Sequence, residues 1–423
     1  MMNEEFLQYS WKYQLFQKEN LETTSGERIR VINPGRWNLD SGPDFFNASI
    51  KIGDTLWAGN VEVHTKSSDW MKHNHHTNDA YNNVILHVVE MADQEVSLPN
   101  GQDLPTLVIR LEDEIRSNYL HLIAEEGKPA CHQTIGEVDP IYIQAAINSM
   151  LVERIEAKTK IIERTLQLNH GNWNETFYQH LSMNFGFKTN ALPFEMLARS
   201  LPLNILVHHT KSLSQLEAML FGQSGLLNEE LLGDDYFLTL RKEYSYLANK
   251  YGLKGMEGHV WKFMRLRPAN FPTIRISQFA ALLHQSQALF SKMLDTNDLD
   301  KIQNFFEIKA SEYWDSHYRF NVASKKKVKW LGRLSQNNLL INTVVPFLYS
   351  YGDRNNKPQL KDRAFELLER IPSEQNQIIA RWTELGINSS NAYDSQALIQ
   401  LKNVYCDYKK CLQCQIGTKV INR

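Results

Sequence analysis

The spacing of apolar and polar positions changes several times along the chain, and each change predicts an element. In "NEEFLQYSWKYQLF" the aromatics Phe6, Tyr9, Tyr13 and Phe16 recur every three or four positions, which predicts an amphipathic helix. In "SGERIRVINPGR" Ile29 and Val31 alternate with Arg28 and Arg30 after a Ser-Gly turn, as in a strand. Two more strands are expected at Ala48–Ile52 and Leu56–His64, joined by Gly53-Asp54, a good two-residue hairpin turn. The polar run "SSDWMKHNHHTNDAYNN" begins with Ser67, Ser68 and Asp69 as N-cap candidates and predicts a helix or helical turn. Val84–Met91 is β-branched and almost continuously apolar, the pattern of a strand covered on both faces. A last strand is expected at Leu104–Leu111.

From Pro140 onward the period becomes helical. "IYIQAAINSMLVERIEAKTKIIERTLQL" has apolar positions three or four apart, and similar segments follow, separated by Gly-, Pro- and Asn-rich breaks. No repeat period emerges. The pattern predicts an α+β chain: a small αβββαβ unit over 1–115, a connecting segment over 116–138, and a large all-α region over 139–423 in one or two lobes.

Composition narrows the class. The chain has 423 residues, 42% of them hydrophobic, enough for two or three domains with full cores. A formal net charge of -2 gives no global attraction to nucleic acid or anionic membrane, so either would need a local basic surface. No apolar run reaches the roughly 18–20 residues of a membrane span, and "MMNEEFLQYSWK" lacks the order of a signal peptide. The expectation is a cytoplasmic protein without membrane contact. Walker A, dinucleotide and G-x-S-x-G motifs are missing.

The chemistry concentrates around the expected hairpin. Side chains two apart on a strand share a face, so Glu62, His64 and Lys66 lie together and Val61 and Val63 lie opposite. Asp44, after a Gly-Pro turn, can approach Glu62 across the hairpin, and two carboxylates suit Mg²⁺ or Mn²⁺. The alternative is structural: Asp44 caps a turn and Glu62 is a solvated charge at the strand end. Five histidines, His64, His73, His75, His76 and His87, also fall here and open a zinc-hydrolase reading, with His73 and His76 sharing a helical face. Their bland reading is surface histidines plus one hydrogen-bonded core histidine at 87.

These residues resemble a known superfamily. The element order, Pro43-Asp44 and then Glu62-x-His64, resembles the core of the PD-(D/E)XK nucleases. The resemblance covers about the first quarter of the chain and implies a restriction-endonuclease-like fold. It further implies metal ligation by Asp44 and Glu62, a helix glutamate at Glu4 or Glu5, and a metal-dependent phosphodiesterase acting on DNA or RNA. His64 stands where the motif has lysine, and there it can act as base or neutral ligand; Lys66, on the same face, can replace the lysine. A non-catalytic nucleic-acid-binding or scaffold protein is the competing implication. The whole chain also resembles an uncharacterised bacterial family with no assigned function, which adds no chemistry.

Two further features stand apart. Cys406, Cys411 and Cys414 form C-x4-C-x2-C, and Cys131 is the fourth cysteine in the chain, so zinc or an iron–sulfur cluster is a candidate, with buried apolar thiols as the alternative. The nuclease resemblance adds that some such enzymes carry a four-cysteine iron–sulfur cluster drawn from distant segments. Arg265, Arg267 and Arg275 surround Phe271 in "MRLRPANFPTIRI" and are candidates for nucleic-acid contact, while "SKKKVK" at 324–329 reads as a solvated face.

Overall fold

The computed structural model describes residues 3–38, 41–124, 128–227, 233–286 and 288–422. The chain divides into two compact units, one of residues 1–146 with 401–423 and one of residues 147–400. The last 23 residues, expected at the end of the helical region, thus group with the sheet.

The first unit opens with α1 (Glu4–Tyr13), capped by the Asn3 side chain, which accepts from the Phe6 N–H at 3.0 Å. Its apolar face is carried by Phe6, Leu7, Tyr9 and Trp11, all fully buried. Strands β1 (Ile29–Asn33), β2 (Arg36–Trp37), β3 (Phe45–Ile52) and β4 (Thr55–Lys66) follow. After the short α2 (Asp69–Lys72) and two 3-10 turns come β5 (Val84–Met91) and β6 (Thr106–Val108). The sheet runs β1-β3-β4-β5-β6, with β2 also on β3; β3 is antiparallel to β1 and β4, whereas β4, β5 and β6 are parallel. The expected hairpin is present: Ile52 faces Thr55 across Gly53-Asp54, with Gly53 at φ 58°, a backbone conformation glycine adopts without cost.

The strand β4 changes environment along its length. Thr55–Ala58 is exposed at the hairpin end, but Val61–His64 is buried, because that half lies between β3 and β5 in the sheet. Both faces are covered there, so Glu62 and His64 are interior residues together with Val61 and Val63. This rules out Glu62 as a solvated strand-end charge. The expected strand at 104–111 contracts to three residues next to Pro105, a residue without a ladder donor. The expected helix after Ser67 contracts as well: α2 stops at Lys72, and Asn74 turns the chain through a left-handed conformation at φ 59°.

The second unit is helical, apart from a two-stranded ladder of His317–Arg319 with Val322–Ala323. Two of its helices, Pro272–Gln285 and Pro358–Arg370, start on proline, where the missing N–H costs nothing. Among the described residues no helix is long and apolar enough to cross a membrane.

Candidate metal centre

Two carboxylates meet at the buried end of β4. Asp44, one residue before β3, donates its backbone N–H to Glu62 Oε2 at 3.0 Å, and its own Oδ2 accepts from the Val63 N–H at 2.9 Å. This reciprocal clip holds both side chains at the start of the hairpin's inner half. From α1, Gln8 donates its side-chain amide to Asp44 Oδ1 at 2.8 Å. Glu4, one helical turn before Gln8, acts on both carboxyls as a like charge, whereas Glu5 is exposed. Of the two glutamates in α1, Glu4 is therefore the one whose charge reaches the carboxyl pair.

Imidazoles face the other oxygen of Glu62. Oε1 lies 3.1 Å from His75 Nε2 and 3.6 Å from His64 Nε2. His64 Nε2 is in turn 3.1 Å from His73 Nδ1, and His64 Nδ1 is 2.8 Å from His87 Nε2. One ring nitrogen from each of His64, His73 and His75 falls within 4.8 Å of the others. The Asn74 turn explains the membership: with the helix ended at Lys72, His75 turns inward and stacks on Tyr81 at 3.9 Å. The helical pairing expected for His73 and His76 is replaced by His73 and His75. Trp70, fully buried, packs edge-on against His75 and Tyr81 and fixes this corner.

Electrostatics sharpen the picture. Burial, then the mutual approach of the pair, pushes Asp44 well above the usual carboxylate range. Burial and Glu4 do the same to Glu62. Burial, then His87, His75 and His73, holds His64 down at about 2, and burial takes His87 to about 3. Among the described residues no Lys or Arg pairs with Asp44 or Glu62. Lys66 closes β4 half-buried, with its N–H donated to Asp69 Oδ2 at 3.0 Å, and it is not among the charges acting on Glu62. His64 is thus a neutral imidazole and supplies no lysine-like charge.

The donor set fits a divalent cation. Ligand atoms around a four-coordinate ion with bonds of about 2.0–2.1 Å lie about 3.3 Å apart. The contacts of 3.1, 3.6 and 3.1 Å along His73, His64, Glu62 and His75 lie near that value; the donors that all converge are the His64, His73 and His75 nitrogens, within 4.8 Å of one another, and Glu62 Oε1 adjoins two of them. His73 is exposed, so the site has a solvent side.

The remaining candidates lie elsewhere. Arg275 is interior: Nη1 donates to Gln278, Nη2 to Asn270 and Ser335, and its plane lies over Phe187 at 4.6 Å. A guanidinium so enclosed has no face for a phosphate, which corrects the expectation for that residue. Arg265 and Arg267 are exposed. Lys329 departs from the solvated face expected at 324–329, being buried with Nζ donating to the Asp315 carbonyl at 2.7 Å.

A family described as "Protein of unknown function (DUF2851)" matches residues 4–377. The chain belongs to this family. No match was found among curated proteins or among solved structures. The DUF2851 match takes in α1, the hairpin and all five clustered histidines, and it ends ahead of Cys406, Cys411 and Cys414.

Proposed function

We propose that the protein is a metal-dependent phosphodiesterase whose cation is held by Glu62, His64, His73 and His75, with Asp44 beside it. The observation that carries this reading is the reciprocal clip between Asp44 and Glu62, which sets two buried carboxyls against neutral imidazoles. A buried carboxylate pair without a cationic partner is costly, and a divalent ion removes that cost. The mixed nitrogen and oxygen donors favour Mn²⁺ or Zn²⁺ over Mg²⁺, which prefers oxygen alone. Such an ion supplies Lewis-acid activation of water and of a phosphoryl oxygen.

The protein's own groups prepare the site. His87 Nε2 meets His64 Nδ1 at 2.8 Å and orients the ring; in the tautomer with the proton on Nδ1, the Nε2 lone pair faces the site beside His73. Gln8 and the Val63 N–H hold the Asp44 carboxylate toward Glu62. The phosphodiester of DNA or RNA as substrate rests on the resemblance of the hairpin, with its Pro43-Asp44 and Glu62-x-His64, to the PD-(D/E)XK core. The second reading, a zinc hydrolase, is favoured by the imidazole trio alone.

Calorimetric titration with Mn²⁺ and Zn²⁺, followed by cleavage assays on labelled DNA and RNA, tests the proposal. Tight binding that Asp44→Ala/Glu62→Ala abolishes, with metal-dependent cutting lost in parallel, is expected. Metal binding without cutting of any nucleic acid would end the phosphodiesterase reading, and absence of binding would end the metal site.

A further inference from the structure

The four cysteines are in no disulfide, Cys131, Cys411 and Cys414 are buried, and among the described residues no set of their sulfurs is close enough for one ion. The group left wanting is a cation in the second unit. Arg275, near the start of the helix Pro272–Gln285, is 5% exposed, and its guanidinium has only neutral acceptors: Gln278 Oε1 at 2.9 Å, Asn270 Oδ1 at 2.7 Å and Ser335 Oγ at 3.0 Å. Its Nε–H, also buried, has no partner among the described residues. No carboxylate pairs with Arg275 there either, and burial alone pulls it down, to about 10, so it stays charged at neutral pH. A buried charge without a counter-ion is costly.

Arg275 lines a cavity of about 270 Å³ that lies wholly within the second unit. Phe185, Phe187, Phe194 and Leu266 give the cavity an apolar wall, and Lys188 and Thr189, both exposed, give it a solvent side. No acid lines it. The turn that carries Phe187 is closely built: a Cβ at Gly186 would stand 2.1 Å from the Asn190 carbonyl oxygen, and Phe187, at φ 50°, lays its ring 4.6 Å from the guanidinium. That ring shuts one face of Arg275. Its partners Asn270 and Ser335 reach the cavity instead, and because each spends an oxygen on Arg275, the Asn270 N–H₂ and the Ser335 O–H are the groups that can donate onward. Asn190 is closed, since its side-chain amide exchanges two hydrogen bonds with the Lys262 backbone. The polar wall is therefore rich in donors and stands beside two cations, Arg275 and Lys188.

We propose that this cavity binds a small organic acid, its carboxylate taking the Asn270 N–H and the Ser335 O–H and its apolar body lying against Phe185, Phe194 and Leu266. Arg275 is a positioning residue: it holds the oxygens of Asn270 and Ser335, and its unbalanced charge makes an anion a better guest than a neutral molecule of the same shape. Size narrows the class further. The cavity is close to the lower end of ligand pockets, roughly 300 Å³, and an apolar cavity of roughly 150 Å³ already holds a benzene ring. A single ring or a short branched chain fits, whereas a nucleotide does not. The inference concerns the second unit alone and is independent of the phosphodiesterase reading.

The test is calorimetric titration of the full chain with benzoate, phenylacetate and isovalerate, each beside its neutral amide, and with inorganic phosphate. A chelator is present throughout, so that a carboxylate bound to metal at the sheet site is not credited to the cavity. At least one acid should bind about tenfold or more tightly than its amide. Asn270→Asp keeps the oxygen that Arg275 needs but sets a carboxylate of the chain's own beside the guanidinium. It should abolish acid binding and raise the melting temperature of the ligand-free protein, because the buried charge then has a counter-ion. Should that variant not fold, Ser335→Ala answers instead, weakening the acid by about tenfold. An amide that binds as well as its acid, acid binding untouched by these variants, or no binding by any acid would overturn the proposal. Phosphate bound as tightly as the best acid would overturn the assignment to a carboxylate with an apolar body.

Discussion

Each unit hides a carboxylate, and the two are held in different ways. Glu217, in the helix Leu213–Gln223, is 2% exposed; its Oε1 accepts from the Ser277 hydroxyl at 2.6 Å and its Oε2 from the Tyr236 hydroxyl at 2.9 Å. Glu62 is 4% exposed, and besides one N–H it faces imidazole nitrogens and stands under the like charges of Asp44 and Glu4. Burial raises both carboxyls. Glu217 is closed, since neutral hydroxyls satisfy both of its oxygens. Glu62 is open, with imidazole nitrogens for partners, each able to carry a lone pair as well as a proton. The contrast teaches that depth alone does not mark a site; what the neighbours still lack does.

The largest expected effect is on metal affinity. Asp44→Ala/Glu62→Ala should weaken Mn²⁺ binding by on the order of 100-fold or more, while Glu217→Gln leaves it unchanged by calorimetry. Equal loss in both would erase the distinction. Next is stability: Glu217→Ala should destabilise by about 3 kcal/mol in denaturant unfolding, because two buried hydroxyls lose their acceptor and a cavity opens. Glu62→Gln in the metal-free protein should cost little or even stabilise, since it removes a buried like charge. A comparable loss there would make Glu62 a structural acceptor like Glu217.

A third test uses pH. His180, in the helix Trp173–Phe185, is held down at about 4 by burial and then by Arg199, and its Nε2 lies 3.1 Å from the Thr165 hydroxyl. Its folded value lies below the unfolded one near 6.5, so the unfolded chain takes up the proton first as pH falls. Its contribution is fully present above pH 6.5 and is lost between there and pH 4, on the order of 3 kcal/mol. Wild-type unfolding energies should therefore fall more steeply with acid than those of His180→Gln, and parallel pH profiles would refute this. The smallest effect is expected from His87→Phe, which removes only the partner of His64 Nδ1. It should weaken Mn²⁺ binding by about tenfold while the fold, followed by circular dichroism, is kept.

Much of the fold was legible because its signals are local. Alternation marked β1, Gly53-Asp54 marked the hairpin, and the apolar run at Val84–Met91 marked β5. The acid pair was legible for the same reason, since a hairpin of known register brings Asp44 to Glu62. The third dimension hid the rest. Helical periodicity favoured His76 beside His73, but the left-handed Asn74 turned His75 inward instead. Arg275 looked like a basic loop residue and is enclosed by side chains as distant in sequence as Ser335 and Phe187. Nothing near residue 401 shows that the chain there rejoins the unit it began.

That return has a consequence for how the protein is made. Synthesis runs from the N-terminus, so the sheet emerges early, whereas the strand-side unit is complete only when residues 401–423 follow the whole helical unit out. During that interval Tyr9, whose hydroxyl reaches Asn422, and Asn118, which donates to the Ile421 carbonyl at 3.3 Å, wait without their partners. A chain halted near residue 400 would carry every clustered histidine and both hairpin acids but only one of the four cysteines. Trimming within residues 401–423 is therefore an intervention on the unit that residues 1–146 begin.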